Sequence, residues 1–224
     1  MVAVRTGPSD GDKGARRTRP LAQHKPRRQQ YALGLRDDFR WPVQALGRAD
    51  GRPVMSAVSG ADIRLQYEVE RLIFREAYLL DNRMFDGWLD LYLEDAEYLM
   101  PAWINETELA IDPNAELFLI YFPTKAGLDD RVYRINTRDS YASAPMPRSA
   151  HVIGNVLILS GDQDRIEVTC SWTVHQYTDR KGPRSHGGRY DYVLERGEGG
   201  LKIAKKHITF LNDRVDIPLD VYNV

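Results

Sequence analysis

One cysteine, Cys170, stands in 224 residues. Iron–sulfur clusters need two thiolates with two imidazoles, or about four thiolates, so this chain can hold none of them. There is no run of about 18 apolar residues, which excludes a membrane-spanning helix, and the N-terminus lacks the apolar segment of a secretory signal. With a lone thiol suited to a reducing compartment, these absences point to a cytoplasmic protein without a membrane partner. Metal-ligand spacing is also missing. No two of His151, His175, His186 and His207 lie two to four residues apart, so no helix-borne ligand pair exists, and a two-histidine, one-carboxylate iron site has no support in the spacing. The glycines at Gly197, Gly199 and Gly200 lack the Lys-Ser/Thr ending of a phosphate loop.

What is present is unevenly distributed. Residues 1–60 hold 12 Lys or Arg and 5 Asp or Glu, leaving 19 and 27 of the chain's 31 and 32 to the remainder. The near-neutral total therefore joins a basic extension of about +7 to an acidic domain of about −8. An acidic domain argues against nucleic acid, whose binding needs a basic face to replace phosphate counterions. The extension scatters Gly7, Pro8, Gly11, Gly14, Pro20, Pro26 and Pro42 among arginines and has too little patterned apolar content to fold alone, so disorder is expected there. Phe39, Trp41, Val43 and Leu46 offer it a few docking groups. Its Arg-rich composition is that of a transit peptide, but Asp10, Asp12, Asp37 and Asp38 count against one. Met55 is an alternative start of the native chain. The expected organisation is a basic extension over 1–60 and one α+β domain over 61–224.

Within the domain, Leu65, Val69, Leu72, Ile73 and Leu80 fall at helical spacing, predicting a helix over about 62–81 capped by Ser59 and Asp62. A shorter helix through Phe85, Trp88, Leu89 and Tyr92 is expected to end at Glu94 and Asp95, before a strand Ala96 to Met100. The dense apolar run from Glu116 to Phe122 suits a strand buried on both faces, and residues 124–137 suit a third helix. Ile166, Val168, Cys170, Trp172 and Val174 alternate with polar neighbours, which puts Cys170 in the core as an inert thiol and His175 on the wetter face. Arg189 to Arg196 and Leu201 to Leu211 read as a hairpin about Gly197–Gly200. Its second arm changes phase from odd Leu201 and Ile203 to even Ile208 and Phe210, so a bulge is expected near Lys205 to His207, with His207 structural. Helices first and long strands after make an α+β fold in which a bent sheet wraps the helices.

The residues carry one enzyme-like combination. Asp95 at the helix-to-strand junction could orient His151 as a general base while Tyr98, or Tyr78 or Tyr121, polarises a carbonyl, which is isomerase or dehydratase chemistry. Against it, Asp95 ends a helix, His151 is a satisfied polar group and the tyrosines pack. A small-molecule binding protein is a third reading. Asp129, Asp130, Arg131, Arg134, Arg138 and Arg148, with Tyr133 and Tyr141, form a charge-dense region of the Arg-and-aromatic kind that interfaces use. Trp103, Tyr121, Arg131, Arg134 and Arg148 are the interface candidates.

Longer stretches are more specific. Arg75-Glu76-Ala77-Tyr78-Leu79-Leu80-Asp81, Trp88-Leu89, Met100-Pro101-Ala102-Trp103, Asp112-Pro113, the run Glu116 to Tyr121 and Gly127-Leu128-Asp129-Asp130-Arg131-Val132-Tyr133-Arg134-Ile135 occur in order. So do Pro145-Met146-Pro147-Arg148-Ser149-Ala150-His151-Val152-Ile153-Gly154-Asn155-Val156, Ala204-Lys205-Lys206 and the terminal Asp220-Val221-Tyr222. From Arg64 onward the chain resembles the small, or beta, subunit of aromatic-ring-hydroxylating dioxygenases, nearest the benzoate and anthranilate branch. The resemblance implies a nuclear transport factor 2-like (cystatin-like) cone with a long curved, largely antiparallel sheet around N-terminal helices. It also implies a trimer within a hexamer of three large and three small subunits, in which the large (alpha) chain holds the Rieske iron–sulfur cluster and the mononuclear iron and NADH supplies electrons. This chain would then assemble and stabilise an enzyme that cis-dihydroxylates an aromatic acid, with no cofactor and no catalytic centre of its own. The basic extension and the Gly-, Arg- and His-rich stretch Gly182 to Gly188, read as a loop, depart from the family pattern.

Overall fold

The computed structural model describes residues 60–137, 146–161, 164–212, 214–215 and 218–224. The basic extension, Met55, the Ser59 cap, Arg138, Tyr141 and Pro145 lie outside the described residues. Three helices, α1 (Gly60–Asp81), α2 (Phe85–Leu89) and α3 (Lys125–Asn136), accompany six strands: β1 (Tyr92–Pro101), β2 (Phe118–Phe122), β3 (Arg148–Gly161), β4 (Arg165–Thr178), β5 (Gly182–Gly197) and β6 (Gly200–Phe210). They form one curved sheet in the order β2-β1-β6-β5-β4-β3, antiparallel throughout except for the parallel pair β1 and β6. This is the α+β cone expected from the sequence.

The alternation along β4 is realised, with Ile166, Val168, Cys170, Trp172 and Val174 all buried on one face. Each such side chain contributes up to about 1.5–3 kcal/mol of transfer free energy, an upper estimate against an extended chain. The stripe Val69, Leu72, Ile73 and Leu80 packs α1 into the same cluster. Burial also pushes the Cys170 thiol up to about 12, consistent with an inert core cysteine.

The phase change in β6 is also present. Val193 pairs with Lys205 but Leu194 pairs with Ile203, so the extra residue is Ala204, one position before the expected bulge. Beyond it the inward residues are Lys206, Ile208 and Phe210. Gly188 lets β5 and β6 close on each other, since a Cβ there would lie 1.9 Å from the Thr209 carbonyl oxygen.

Three expectations give way. β1 begins at Tyr92, because the second helix stops at Leu89, and so Asp95 lies inside the strand. The run at Glu116 to Phe122 is an edge strand rather than one buried on both faces: Phe118, Ile120 and Phe122 are partly buried while Leu119 and Tyr121 face outward. Its apolar density covers two faces, only one of which the chain's own core uses. Gly182 to Gly188 belongs to β5, paired along β4 from Thr178 to Trp172, and is not a loop.

Candidate functional site

The cone's interior is occupied by a buried ionic cluster. Helical spacing carries Glu76 onto the core face of α1 with Val69, Ile73 and Leu80, and the Ala204 bulge turns Lys206 to the same place. Lys206 Nζ donates to Glu76 Oε1 at 2.9 Å. Trp88 Nε1 and the Tyr92 hydroxyl donate to the same oxygen, and the Tyr192 hydroxyl donates to Oε2 at 2.7 Å. The ammonium also stands 4.0 Å from the ring centroid of Tyr190, with the rings of Tyr192 and Tyr98 at 5.5 and 5.7 Å.

Burial pushes the Glu76 carboxyl up, but the Lys206 charge and the hydrogen bonds from Tyr92, Lys206 and Tyr192 outweigh it and hold the group below the usual carboxylate range. Burial, reinforced by Glu76, raises Tyr92, Tyr98 and Tyr192 well above the ordinary phenol value, so all three stay protonated, and Tyr92 and Tyr192 donate to Glu76. Four donors converge on the Glu76 carboxylate, three on Oε1 and one on Oε2. It is held ionised, bonded within the chain and buried, which fits a structural group.

At the rim, the carboxylate that meets His151 is Asp81, not Asp95. The end of α1 crosses the start of β3, and Asp81 Oδ1 lies 2.6 Å from His151 Nδ1 while Oδ2 accepts the His151 backbone N–H at 2.8 Å. Asp95 is exposed on β1, which β6, β5 and β4 separate from β3 in the sheet order. Tyr98 is buried among Trp88, Tyr92 and Phe122. The expected trio is therefore not assembled. Burial raises the Asp81 carboxyl, but the His151 ring, its backbone N–H and charge, and Ser149 together lower it. An aspartate on Nδ1 is how a general base is oriented, yet the His151 side chain is 1% exposed and cannot meet a substrate from solvent.

The other histidines do not converge. His175 is exposed and bonds Ser185 Oγ at 2.8 Å, His186 packs beside Phe210, and His207 Nδ1 lies 3.7 Å from Asp191. Among the described residues no three His, Cys, Asp or Glu side chains group as a metal site. With one cysteine in the chain, the donor set does not fit a Rieske cluster.

Of the interface candidates, three are engaged within the chain. Trp103 Nε1 donates to the Phe210 carbonyl at 2.6 Å, Arg131 makes a bidentate pair with buried Asp220 at 2.8 Å through each nitrogen, and Arg134 pairs with Asp130 at 2.9 Å. Tyr121 faces outward beside Leu119, and Arg148 lies exposed over the Tyr177 ring at 4.8 Å. Sequence reasoning missed Glu76, Lys206 and Asp81 as a site. The signals were there: Glu76 shares the apolar stripe of α1, and the even phase of Ile208 and Phe210 extrapolates to Lys206.

Known proteins give this cone a lineage. The model of the ring hydroxylating beta subunit family matches residues 75–216. The anthranilate 1,2-dioxygenase small subunit of Acinetobacter baylyi is 37% identical over 163 residues, covering 72% of this chain and 99% of the relative. The 2-halobenzoate 1,2-dioxygenase small subunit of Burkholderia cepacia is 38% identical, covering 70% and 94%. The crystal structure of the beta subunit of benzoate 1,2-dioxygenase from Burkholderia mallei is 33% identical, with a TM-score of 0.58 over 76% of this chain and all of that one. By family match, relatives and fold together, this chain belongs to the beta, or small, subunits of aromatic-ring-hydroxylating dioxygenases.

Proposed function

We propose that this chain is the non-catalytic assembly subunit of a cytoplasmic dioxygenase whose large subunit cis-dihydroxylates an aromatic acid of the benzoate or anthranilate class. The large subunit would hold the Rieske cluster and the mononuclear iron, with electrons from NADH, in a hexamer of three large and three small chains. The observation that carries this reading is the match to the ring hydroxylating beta subunit family over residues 75–216, and the buried Glu76, bonded to Lys206, Trp88, Tyr92 and Tyr192 within the chain, agrees with a structural role. The similarity to small subunits of acid-specific dioxygenases supports the substrate class.

Partner contact falls on the outward side of β2, where Leu117 is 69% exposed next to Leu119 and Tyr121. An alternating apolar edge strand is costly to leave in water and suits burial against another chain. Arg148 is the second candidate still presented to solvent. Co-expression of the large chain with and without this one tests the role. Soluble, active large subunit only in the presence of this chain is expected. Turnover by the isolated chain, lost in His151→Ala, would instead restore the dehydratase or isomerase reading.

A further inference from the structure

β3 is the last strand of the sheet and pairs on one side only, with β4. The other edge of such a strand presents a row of backbone N–H and C=O groups, the template on which a further strand can add. The sequence makes this edge adhesive. From Ala150 to Ser160 there is no Lys, Arg, Asp, Glu or Pro, and the run is rich in Val, Ile and Leu, the composition that favours strand-on-strand assembly. Val152 and Leu157 are 55% and 45% exposed on it.

Helix α1 lies along this edge and closes it with side chains at three places. Gln66 Nε2 donates to the Val156 carbonyl at 3.2 Å, oriented by a second bond to Glu70 Oε1 at 2.7 Å. At the last helical residue, Asp81 Oδ2 accepts the His151 backbone N–H at 2.8 Å while Oδ1 holds the His151 ring at 2.6 Å. Just past the helix, Arg83 Nη2 reaches the Met146 and Pro147 carbonyls at 3.4 and 3.3 Å, where the chain enters β3. Arg83 departs from the usual pattern of a helix end. Its N–H bonds the Leu80 carbonyl and the Met84 N–H bonds that of Leu79, a Schellman motif that puts Arg83, at φ 58°, in the left-handed position glycine normally fills. What arginine adds there over glycine is the side chain that spans to β3. The strand contributes a break of its own: its ladder to β4 slips between Gly154 and Leu157, where Asn155 has φ 54°, a bulge of the kind that turns an edge away from partners.

We infer that α1 is the guard of the β3 edge: Gln66, Asp81 and Arg83 occupy backbone groups that would otherwise pair with the β3 edge of a second copy of this chain, and so keep the free chain from adding sheet to sheet. The inference goes beyond the assembly role proposed above and does not depend on it. It gives Asp81 and His151 a task other than acid–base chemistry, as the middle clasp of the edge.

The variant Gln66→Ala/Arg83→Gly opens the edge while sparing the fold, since neither side chain belongs to the core and glycine suits the Arg83 backbone. Thermal melting of the full chain is measured beside its assembly, followed by thioflavin fluorescence and by sedimentation of species larger than those of the wild type. The expected result is a melt that matches the wild type and sheet-containing assembly roughly 10-fold faster, because an unguarded apolar edge pairs with its like. Adding Val152→Lys, which sets a charge on the edge, should return assembly to the wild-type rate. Assembly of the double variant no faster than the wild type, or assembly that Val152→Lys does not slow, would overturn the inference. Faster assembly together with a lowered melt would overturn it as well, by assigning the effect to unfolding.

Discussion

Glu76 and Asp81 lie five residues apart on the same helix and do opposite work. Glu76 points into the cone, is fully enclosed and is balanced by a charge that a strand bulge delivers from 130 residues away. Asp81 sits at the rim, partly open to water, and ties the end of α1 to the start of β3 through one histidine. A buried pair is marginal as a net stabiliser but costly to break, whereas a rim pair is worth little more than its hydrogen bonds. The difference teaches that the polar chemistry of this chain serves its architecture: the interior pair fixes how β6 meets α1, and the rim pair fixes where β3 begins.

Breaking the interior pair on one side is the largest expected effect. Lys206→Met leaves Glu76 charged and enclosed, and should cost about 3–5 kcal/mol in denaturant unfolding. Glu76→Leu/Lys206→Met removes both charges and should recover most of that loss; additive losses would contradict the coupling. At the rim, Asp81→Asn should cost only about 1–2 kcal/mol, the loss of charge-assisted hydrogen bonds in a partly exposed place.

Acid sharpens the comparison. Both carboxyls titrate below their ordinary values in the folded chain, so the stability they confer is complete above the unfolded carboxyl range of about pH 4 and is lost as pH falls through the depressed folded values. Unfolding measured from pH 7 downward should therefore steepen below about pH 4. Asp81→Asn should remove only part of that slope. The smallest effect concerns Cys170, whose thiol, pushed up to about 12 by burial, should react with a thiol reagent only at the rate of unfolding, and faster in Lys206→Met than in the wild type.

Much of this architecture was legible as pattern. The five-residue alternation of β4, the helical stripe of α1 and the phase slip in β6 each follow from a fixed period, and each appears within a residue or two of its expected place. Patterns failed where one residue type serves two surfaces. The apolar run of β2 looks doubly buried because both its faces are apolar, although only one packs on the chain's own core, and the glycines of Gly182 to Gly188 look like a loop although Gly188 is the price of close strand approach. The Asp95 and His151 pairing failed for a different reason. Which carboxylate reaches a histidine depends on how a helix crosses a strand, a distance that spacing along the chain does not encode. Lys206 was hidden because a lysine between Lys205 and His207 reads as a solvated run unless the bulge is carried through to its consequence.

Native mass spectrometry with iron analysis, on this chain co-purified with its large subunit and on the chain alone, tests the central claim most directly. The account expects a complex of about six chains with iron that follows the large subunit, and an isolated small chain that is iron-free and inactive. An isolated chain that turns over a substrate, or large subunits that assemble and work equally well without it, would contradict it.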